Sequence, residues 1–367
     1  GGDHMAANQR RPTGGTRRAD GGAAAPARRA GVKEVAERAG VAPSSVSRVL
    51  SGHPDVSTVM RNRVLDAVAA LGYEPDLLAQ SLRRGATMTA GFVAGDISNS
   101  LVSQIALGAE VELRSAGYSI LLMNSMNDPA LDAAHVRMLR QRRVDGLLLL
   151  LADEDNAETL DALRGSDSPY VLVDRDPAPL PDASAVLSDH RRGIADAAEY
   201  LISLGHRRIA LINGNPAVRP ARERAAALRK TCRAHPDVTA IVRSGAFSAE
   251  HGEAATESLL SAAGPPSAII AGGNQILTGV LRALRRANLR IPDQISLITC
   301  DDVPLAELFE PPIATISRDP EDIGRQAARL LLDHMEGRSA RVTTLPAVFR
   351  PARSCAAPPP PGDLEET

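Results

Sequence analysis

The sequence predicts an α/β body of two Rossmann-like lobes preceded by a small all-α head. Beyond Gly85, apolar runs rich in β-branched and aliphatic residues alternate with stretches of helical period. That alternation is typical of parallel sheets with crossover helices. Seven runs, with weaker ones around VLSD, ATISR and TTLPAVF, are too many for one compact sheet, so we expect two lobes. The seven runs read AGFVAGD, SILLMNS, VDGLLLLLA, YVLVDRD, RIALING, SAIIAGG and ISLITCDD.

Length and composition favour a protein with more than one folding unit. The chain has 367 residues, 44% of them hydrophobic, which is enough for a sizeable core. No window approaches the roughly 18 consecutive apolar residues of a membrane helix, so we expect no membrane partner. The cysteines (Cys232, Cys300, Cys355) lack CxxC spacing, and the N-terminal residues show no secretion signal. We therefore expect a cytoplasmic location, no metal and no cofactor, with one disulfide as the alternative.

Charge is distributed unevenly along the chain. Residues 1–85 carry 13 Arg and Lys against 8 Asp and Glu, a charge of +5, which leaves −7 on residues 86–367 because the whole chain carries −2. A basic head on an acidic body indicates that the head alone contacts a polyanion such as DNA. The alternative is a solvated basic arm, since residues 1–30 have no hydrophobic period and are expected to be disordered. Residues 356–367 should also be unstructured.

The segment VKEVAERAGVAPSSVSRVLSG, residues 32–52, predicts a helix-turn-helix. Gly40 forms a tight turn between two short helices, and Pro43 suits the first position of the second helix. Ser44, Ser47 and Arg48 fall on the outer face, where a recognition helix presents side chains to the major groove. The alternative is an ordinary helical hairpin. Apolar residues at helical spacing form the inward face: Val32, Val35, Ala36, Ala39, Val46, Val49 and Leu50.

A third helix and a short amphipathic stretch follow. Ser57 is a good N-cap, and Gly72 is a good helix end. The stretch EPDLLAQSLRRG then places Leu82 beside two arginines. This order predicts a head over residues 31–73 followed by a short amphipathic segment over residues 74–86. The expected apolar face of the third helix consists of Val59, Val64, Leu65, Val68 and Leu71.

Five segments resemble the LacI/GalR family of bacterial transcription regulators in order and spacing. They are VKEVAERAGV, SVSRVLSG, RVLDAVAALGYEPDLLAQSLRRG, GFVAGDISNS and SAGYSILLMNS, and the resemblance extends from about Gly31 to Ser354. It implies a homodimer that binds a pseudo-palindromic operator in double-stranded DNA, with repression favoured over activation by analogy alone. It also implies a periplasmic-binding-protein-like body over residues 87–355, in which two lobes joined by three crossover strands close on a small-molecule effector.

The resemblance implies that residues 74–86 are a hinge helix with its linker, and that both the head and this hinge contact DNA. Paired hinge helices, Pro75 to Arg83 in each chain, would lie in the minor groove, with Leu82 wedged into the central base step to bend the DNA. A dimer contact is the alternative role for Leu82. Gly31 and Ala42 stand where the family usually has capping Thr and Ser, and each loses a cap worth about 1 kcal/mol. The implied DNA-binding residues are Val32, Pro43, Ser44, Ser47, Arg48, Ser51, Ser57, Tyr73, Ala79, Ser81, Leu82 and Arg83.

The resemblance to the LacI/GalR family also divides the body into two lobes. Residues 88–188 and 318–338 would form the first lobe, and residues 189–317 and 339–353 the second. Ligands of such sheets bind outside the carboxyl ends of the strands. Arg224 matches the arginine with which the family anchors a polar ligand group. The polar residues expected at strand ends are Asp96, Asp174, Arg175, Asn274 and Asp301. For each of them alone, a helix cap or a surface ion pair is the alternative.

Several pocket positions depart from the family pattern. Leu101 and Val102 replace aromatic residues that stack on ligand rings. Leu150 stands where aromatic or polar groups are usual, and Gln275 replaces the aspartate of a usual Asn-Asp pair. With 2% aromatic residues and no Trp, Phe247 is the expected stacking ring. We therefore expect a small polar or anionic effector, with a sugar, a nucleobase or a lost effector response as alternatives.

Two other classes of function compete with regulation. A free periplasmic ligand carrier would resemble the body, but the head and the missing signal sequence argue against it. An enzyme would need a nucleophile, a base or a metal set. His190, His206 and His251 lie near no Cys or Ser at a known catalytic spacing, and GNPA is not a phosphate loop. We expect no enzymatic activity.

Overall fold

The computed structural model describes residues 30–74, 85–180 and 182–359. The chain divides into two compact units, Gly1–Gln80 and Ser81–Thr367. The predicted hinge helix, with Ala79, Ser81, Leu82 and Arg83, lies outside the described residues. Within the described ranges, no helix combines the length and apolarity needed to cross a membrane.

The head consists of three helices, α1 (Val32–Ala39), α2 (Pro43–Leu50) and α3 (Thr58–Leu71). Gly40 ends α1 in the left-handed conformation, with φ 63°, and this reverses the chain before Pro43 begins α2. Ser57 caps α3, since its Oγ accepts a hydrogen bond from the backbone N–H of Met60 at 3.3 Å. Three fully buried valines join the helices in one core: Val35, Val46 and Val64. The predicted helix-turn-helix is therefore confirmed.

The predicted apolar face of α3 is wrong at two positions. Val59 is 71% exposed and Leu65 is 47% exposed, whereas Ala67 is buried. At 100° per residue, Met60, Val64, Ala67, Val68 and Leu71 share one face, and Val59 and Leu65 lie well off it.

The body contains two six-stranded sheets, each the centre of one lobe. The first has the order β11-β5-β4-β3-β1-β2, and the second has the order β12-β10-β9-β8-β6-β7. All neighbouring strands pair in parallel except β10 and β12. The first five strands of both lobes thus follow the doubly wound order 2-1-3-4-5, and the predicted fold class is confirmed. The strands are β1 (Thr89–Ala94), β2 (Ser119–Asn124), β3 (Gly146–Leu149), β4 (Tyr170–Val173), β5 (Ser184–Ser188), β6 (Arg208–Asn213), β7 (Thr239–Ser244), β8 (Ala268–Ala271), β9 (Ser296–Cys300), β10 (Ala314–Ser317), β11 (Val342–Leu345) and β12 (Val348–Arg350).

Helices cover both faces of each sheet, and two apolar clusters fill the space in each lobe. Parallel strands buried on both faces require such cover, which explains their continuous apolar runs. The helices of the body are α4 (Ser100–Ser115), α5 (Pro129–Gln141), α6 (Ala157–Arg164), α7 (His190–Ser203), α8 (Arg219–Arg233), α9 (Ala249–Leu260), α10 (Asn274–Arg286), α11 (Pro304–Leu308) and α12 (Pro320–Met335).

Two segments of the body differ from the prediction. Residues 339–353 were expected in the second lobe, but β11 pairs with β5 of the first sheet and β12 pairs with β10 of the second. The chain therefore crosses between lobes at residues 346–347. Edge strand β7 was not predicted, because its half-exposed residues, TAIVRS, do not form an apolar run.

The C-terminal segment was expected to be unstructured from Ala356 onwards, and this is wrong at its start. The Ala356 carbonyl accepts hydrogen bonds from His206 Nε2 at 2.9 Å and Ser296 Oγ at 3.1 Å, and its N–H donates to Ser296 Oγ. These bonds fasten the chain across the starts of β6 and β9.

The lobes are joined by three crossings within residues 182–359. The chain passes from β5 to α7 near residue 189, from β10 to α12 near residue 318, and from β11 to β12. His190 at the first crossing and Arg318 at the second both contact Asp174 at the end of β4, and Arg318 also contacts Asp301 at the end of β9. These contacts place both side chains at the cleft.

One close helix contact in each lobe fixes a helix that begins at the cleft. A Cβ added to Gly108 of α4 would lie 2.0 Å from the Glu321 carbonyl oxygen of α12. A Cβ added to Gly279 of α10 would lie 1.9 Å from the Ala249 carbonyl oxygen of α9. Only glycine permits these approaches, so both cleft helices are held backbone to backbone against a neighbour.

Candidate functional sites

The outer face of α2 carries the predicted DNA-reading residues. Ser44, Ser47, Arg48 and Ser51 recur at helical spacing, opposite the buried Val46 and Val49. Ser44 and Arg48 are exposed, and the Arg48 guanidinium has no partner within the described part of the chain. Ser51 Oγ donates to the Arg48 carbonyl at 3.1 Å. This face can present a guanidinium and hydroxyl groups to base edges.

The remaining predicted contacts of the head have structural roles as well. Val32 and Tyr73 are half-buried against the head core, and Ser57 Oγ caps α3. Neither Gly31 nor Ala42 supplies a side-chain cap, as expected. The Gly31 N–H instead donates to Glu34 Oε2 at 3.0 Å, which partly replaces the missing cap of α1.

All eleven body residues predicted to bind an effector line one cavity of about 80 Å³ between the lobes. They meet there because the carboxyl ends of parallel strands share one edge of a sheet and the edges of the two sheets face each other. The lining includes Asp96, Leu101, Val102, Leu150, Asp174, Arg175, Arg224, Phe247, Asn274, Gln275 and Asp301.

Direct hydrogen bonds between α10 and the β1–α4 region close one side of this cavity. Gln275 Nε2 donates to Asp96 Oδ2 at 3.0 Å. Asn274 Nδ2 donates to Asn99 Oδ1 at 2.8 Å and to Ser100 Oγ at 3.0 Å. Burial raises the pKa of Asp96, but the hydrogen bonds from Ser98 and Gln275 outweigh it, so the net pKa is lowered. We refer to the hydrogen bonds that Gln275 and Asn274 donate to Asp96, Asn99 and Ser100 as the α10–α4 contact.

Arg318, which sequence reasoning missed, joins the two lobes through their strand-end carboxylates. Its Nε donates to Asp301 Oδ1 at 2.8 Å, and its Nη1 donates to Asp174 Oδ2 at 2.7 Å and to Ser188 Oγ at 3.0 Å. Asp174 follows β4 of the first lobe, and Asp301 follows β9 of the second. Both aspartates adopt positive φ, 53° and 75°, a conformation that Asp tolerates better than most residues. We call this group the Arg318 bridge.

Asp174 has no hydrogen-bonding capacity left for a ligand. Its Oδ1 accepts from the Ser188 N–H at 3.0 Å and from Arg219 Nη1 at 3.4 Å. Its Oδ2 accepts from Arg318 and from His190 Nε2, the latter at 2.8 Å. A carboxylate offers about four acceptor sites, and all four are occupied. Burial would raise the pKa of Asp174, but His190 and Arg318 hold it well below its usual range.

His190, also missed as a cleft residue, is neutral in the folded protein. Burial lowers the pKa of His190 to about 4; the positive charges of Arg224 and Arg318 add to this effect, and the attraction of Asp174 does not offset it. The neutral ring donates its Nε2 hydrogen to Asp174. The only signal in the sequence was its place directly after the VLSD strand.

Arg175 and Arg224 line the cavity without a carboxylate within 4.0 Å among the described residues. Arg175 donates to the carbonyls of Leu151 and Asp174, and Arg224 Nη1 donates to the Gly272 carbonyl at 2.6 Å. The buried Nε of Arg224 has no partner in the described part of the protein. Carbonyl oxygens accept these hydrogen bonds, and Glu154, Asp174 and Asp132 attract Arg175 at longer range. Neither guanidinium forms an ion pair among the described residues, and this arrangement suits an oxyanion.

The apolar wall of the cavity contains Leu101, Val102, Leu150 and Phe247. The Phe247 ring packs on Gly214, where an added Cβ would lie 2.0 Å from the ring, so a side chain at Gly214 would displace it. Phe247 also lines a wider opening of about 670 Å³ outside the small cavity, together with Asp96, Arg175 and Gln275. The site thus has a small charged interior and a larger entrance.

We expect His190 to make the protein less stable in mild acid. The pKa is about 4 in the folded protein and about 6.5 when unfolded, so the unfolded state binds the proton first as pH falls. The free energy of unfolding should decline between pH 6.5 and pH 4, by about 3 kcal/mol in total. Urea unfolding of the parent and of His190→Gln at several pH values measures this. Parallel pH profiles for the two proteins would contradict the assignment.

Comparisons with known proteins match both the head and the body of the chain. Residues 27–76 match the lacI family of bacterial regulatory proteins, and residues 198–355 match a periplasmic binding protein-like domain. An HTH-type transcriptional repressor PurR from Vibrio campbellii is 30% identical over 312 residues, which cover 83% of this chain and 92% of that protein. The ribose operon repressor of Escherichia coli K12 is 33% identical over 306 residues, covering 82% and 92% respectively.

A solved structure shows the same architecture over nearly the whole chain. The lac repressor dimer bound to operator and the anti-inducer ONPF superposes with a TM-score of 0.80 at 25% identity, covering 90% of this chain and 100% of that one. The resemblance found in the sequence is confirmed. This protein belongs to the LacI family of bacterial transcription regulators, which bind operator DNA and small-molecule effectors.

Proposed function

We propose that this protein is a cytoplasmic repressor that binds operator DNA as a homodimer and is controlled by a small anionic effector in the cleft between its lobes. The observation that carries the effector class is the pair of buried arginines, Arg175 and Arg224, that face the cavity without carboxylate partners among the described residues. The relatives named above are repressors, which supports repression.

Exposed apolar side chains support the homodimer. Leu107 and Val111 of α4 are 50% and 44% exposed, and Leu122 is 37% exposed on edge strand β2, which contacts α4. In the second lobe, Leu305 and Leu308 of α11 are 41% and 81% exposed. A second copy of the chain would cover such patches in a symmetric interface.

The pattern of ion pairs around the cavity favours an anionic effector over a neutral sugar. Arg318 and Arg219 compensate Asp174 and Asp301, and the hydrogen bonds of Asp174 are saturated. Leaving Arg175 and Arg224 buried and unpaired costs free energy, which a bound carboxylate or phosphate would recover. A cavity of about 80 Å³ holds only such a compact group, and the rest of the effector would occupy the wider opening beside Phe247.

The cavity supports binding without catalysis. Among the described residues, those that line the cavity offer carboxylates, guanidinium groups, amides and apolar groups but include no Ser, Cys, Lys or His. His190 lies behind it and donates its hydrogen to Asp174. A nucleophile paired with a free base is therefore missing from this lining, and we propose that the bound molecule is not turned over.

DNA selected from a random pool by the full-length protein should contain an inverted repeat, because a two-fold dimer reads two half-sites. Arg48→Ala should weaken binding to that duplex by about 1–3 kcal/mol and relax base preference at one position in each half-site. Arg38→Ala is the matched control, since Arg38 is exposed on α1 away from the outer face of α2. An asymmetric single site, or equal losses for both variants, would refute this role.

Anionic ligands should stabilise the parent protein more than their neutral counterparts. Thermal shift measurements can compare gluconate with glucose, and ribose 5-phosphate with ribose, within a broader screen of sugar acids and small carboxylates. Arg224→Ala should lose the shift and keep operator binding in the absence of ligand, because the head is unchanged. Arg229→Ala, an exposed position on the same helix, is the control. Equal stabilisation of Arg224→Ala and the parent would overturn the proposal.

A further inference from the structure

Helix α8, which carries Arg224, lacks a cap of its own. Val218 occupies the N-cap position and offers no side-chain acceptor. Pro220 has no N–H, and the Ala221 N–H donates to the Val218 carbonyl at 3.2 Å. The N–H of Arg219 is therefore the donor at this helix start that still needs an acceptor.

That acceptor comes from the other lobe. Glu154 follows β3 of the first lobe and is only 3% exposed. The Arg219 N–H donates to its Oε1, and Arg222 Nη2 donates to its Oε2 at 2.9 Å. Within the first lobe, the Asp176 N–H donates to the same Oε2 at 2.9 Å. The backbone joins the lobes as well, since the Glu154 N–H donates to the Ala217 carbonyl at 3.3 Å.

We propose that Glu154 is a cross-lobe N-cap of α8 and a positioning residue for the effector site. The inference rests on the proposed role of Arg224, which lies on the same helix five residues after Arg219. By holding the start of α8 against the first lobe, Glu154 sets where the Arg224 guanidinium stands in the closed cavity. A carboxylate at a helix N-terminus also interacts favourably with the helix dipole.

The cap that Glu154 provides for α8 therefore forms only when the cleft between the lobes is closed. When the cleft opens, Glu154 loses its partners in α8 and the Arg219 N–H loses its charged acceptor, so both groups exchange a charge-assisted hydrogen bond for bonds to water. Glu154 therefore favours the closed arrangement together with the α10–α4 contact. The two groups share no residue, so each can be removed separately.

Hydrogen–deuterium exchange of the full-length, ligand-free protein tests the proposal. Glu154→Ala should raise exchange in the first turn of α8 roughly tenfold, as loss of a cap does. It should also raise exchange at the starts of α4 and α10, because opening breaks the α10–α4 contact, and small-angle scattering should show a larger radius of gyration. Asp128→Ala is the control: Asp128 caps α5 within the first lobe, accepting from the Ala130 N–H at 2.9 Å. The Asp128→Ala variant should raise exchange in α5 and leave exchange in α4, α8 and α10 unchanged.

Two milder variants keep the test decisive if Glu154→Ala fails to fold. Glu154→Gln retains an oxygen for the Arg219 N–H and should raise exchange less than Glu154→Ala. Arg222→Ala removes the ion pair and keeps the cap, and should change α8 less still. Unchanged exchange in α8 for Glu154→Gln and Glu154→Ala, or a change confined to α8 with no opening, would overturn the cross-lobe role. These outcomes need no ligand, so they are independent of the Arg224→Ala thermal shifts that test the proposed effector class.

Discussion

The architecture of the cleft depends on one buried guanidinium. Arg318 lies where the chain crosses from β10 to α12, and it binds the carboxylate at the end of β4 and the one at the end of β9. Without Arg318, Asp301 would be a buried negative charge with no ion pair among the described residues, and Asp174 would keep only Arg219 and His190. Arg318 alone would be a buried positive charge, so these charges are stable together and costly apart. Because its members come from both lobes, the bridge fixes the edges of the two sheets against each other at the crossings.

Two arginines outside this bridge determine which ligand charge the cavity favours. Asp174 and Asp301 are compensated, whereas Arg175 and Arg224 have only carbonyl acceptors among the described residues. The same helix that carries Arg224 is capped from the first lobe by Glu154, and α10 contacts α4 through amide side chains. The recognition chemistry and the closure of the lobes therefore involve the same elements, so an occupant of the cavity can change lobe geometry.

The sequence predicted the parts of this arrangement that depend on local pattern. Alternating apolar runs located most strands, and the residues that follow them, such as Asp96 and Asn274, line one cavity because strand ends must meet. Arg318 and Glu154 were missed because their importance comes from partners 144 and 68 positions distant in the chain. Strand β11 was assigned to the wrong lobe for a similar reason, since pairing with β5 or β10 is decided by the crossing and not by the apolar pattern of the strand.

The most direct test of this account is a double-mutant cycle on the Arg318 bridge, measured as the free energy of unfolding of the body by urea at pH 7. Arg318→Met should cost about 3–5 kcal/mol, because it removes the ion-pair partner of the buried Asp301 and leaves Asp174 with Arg219 as its remaining cationic partner. The double variant Arg318→Met/Asp301→Asn should lose about 1–3 kcal/mol less than the sum of the losses of the two single variants, since the unpaired charge of Asp301 is then absent. Additive effects, with Arg318→Met within about 0.5 kcal/mol of the parent, would show that the bridge does not hold the lobes and would contradict the account.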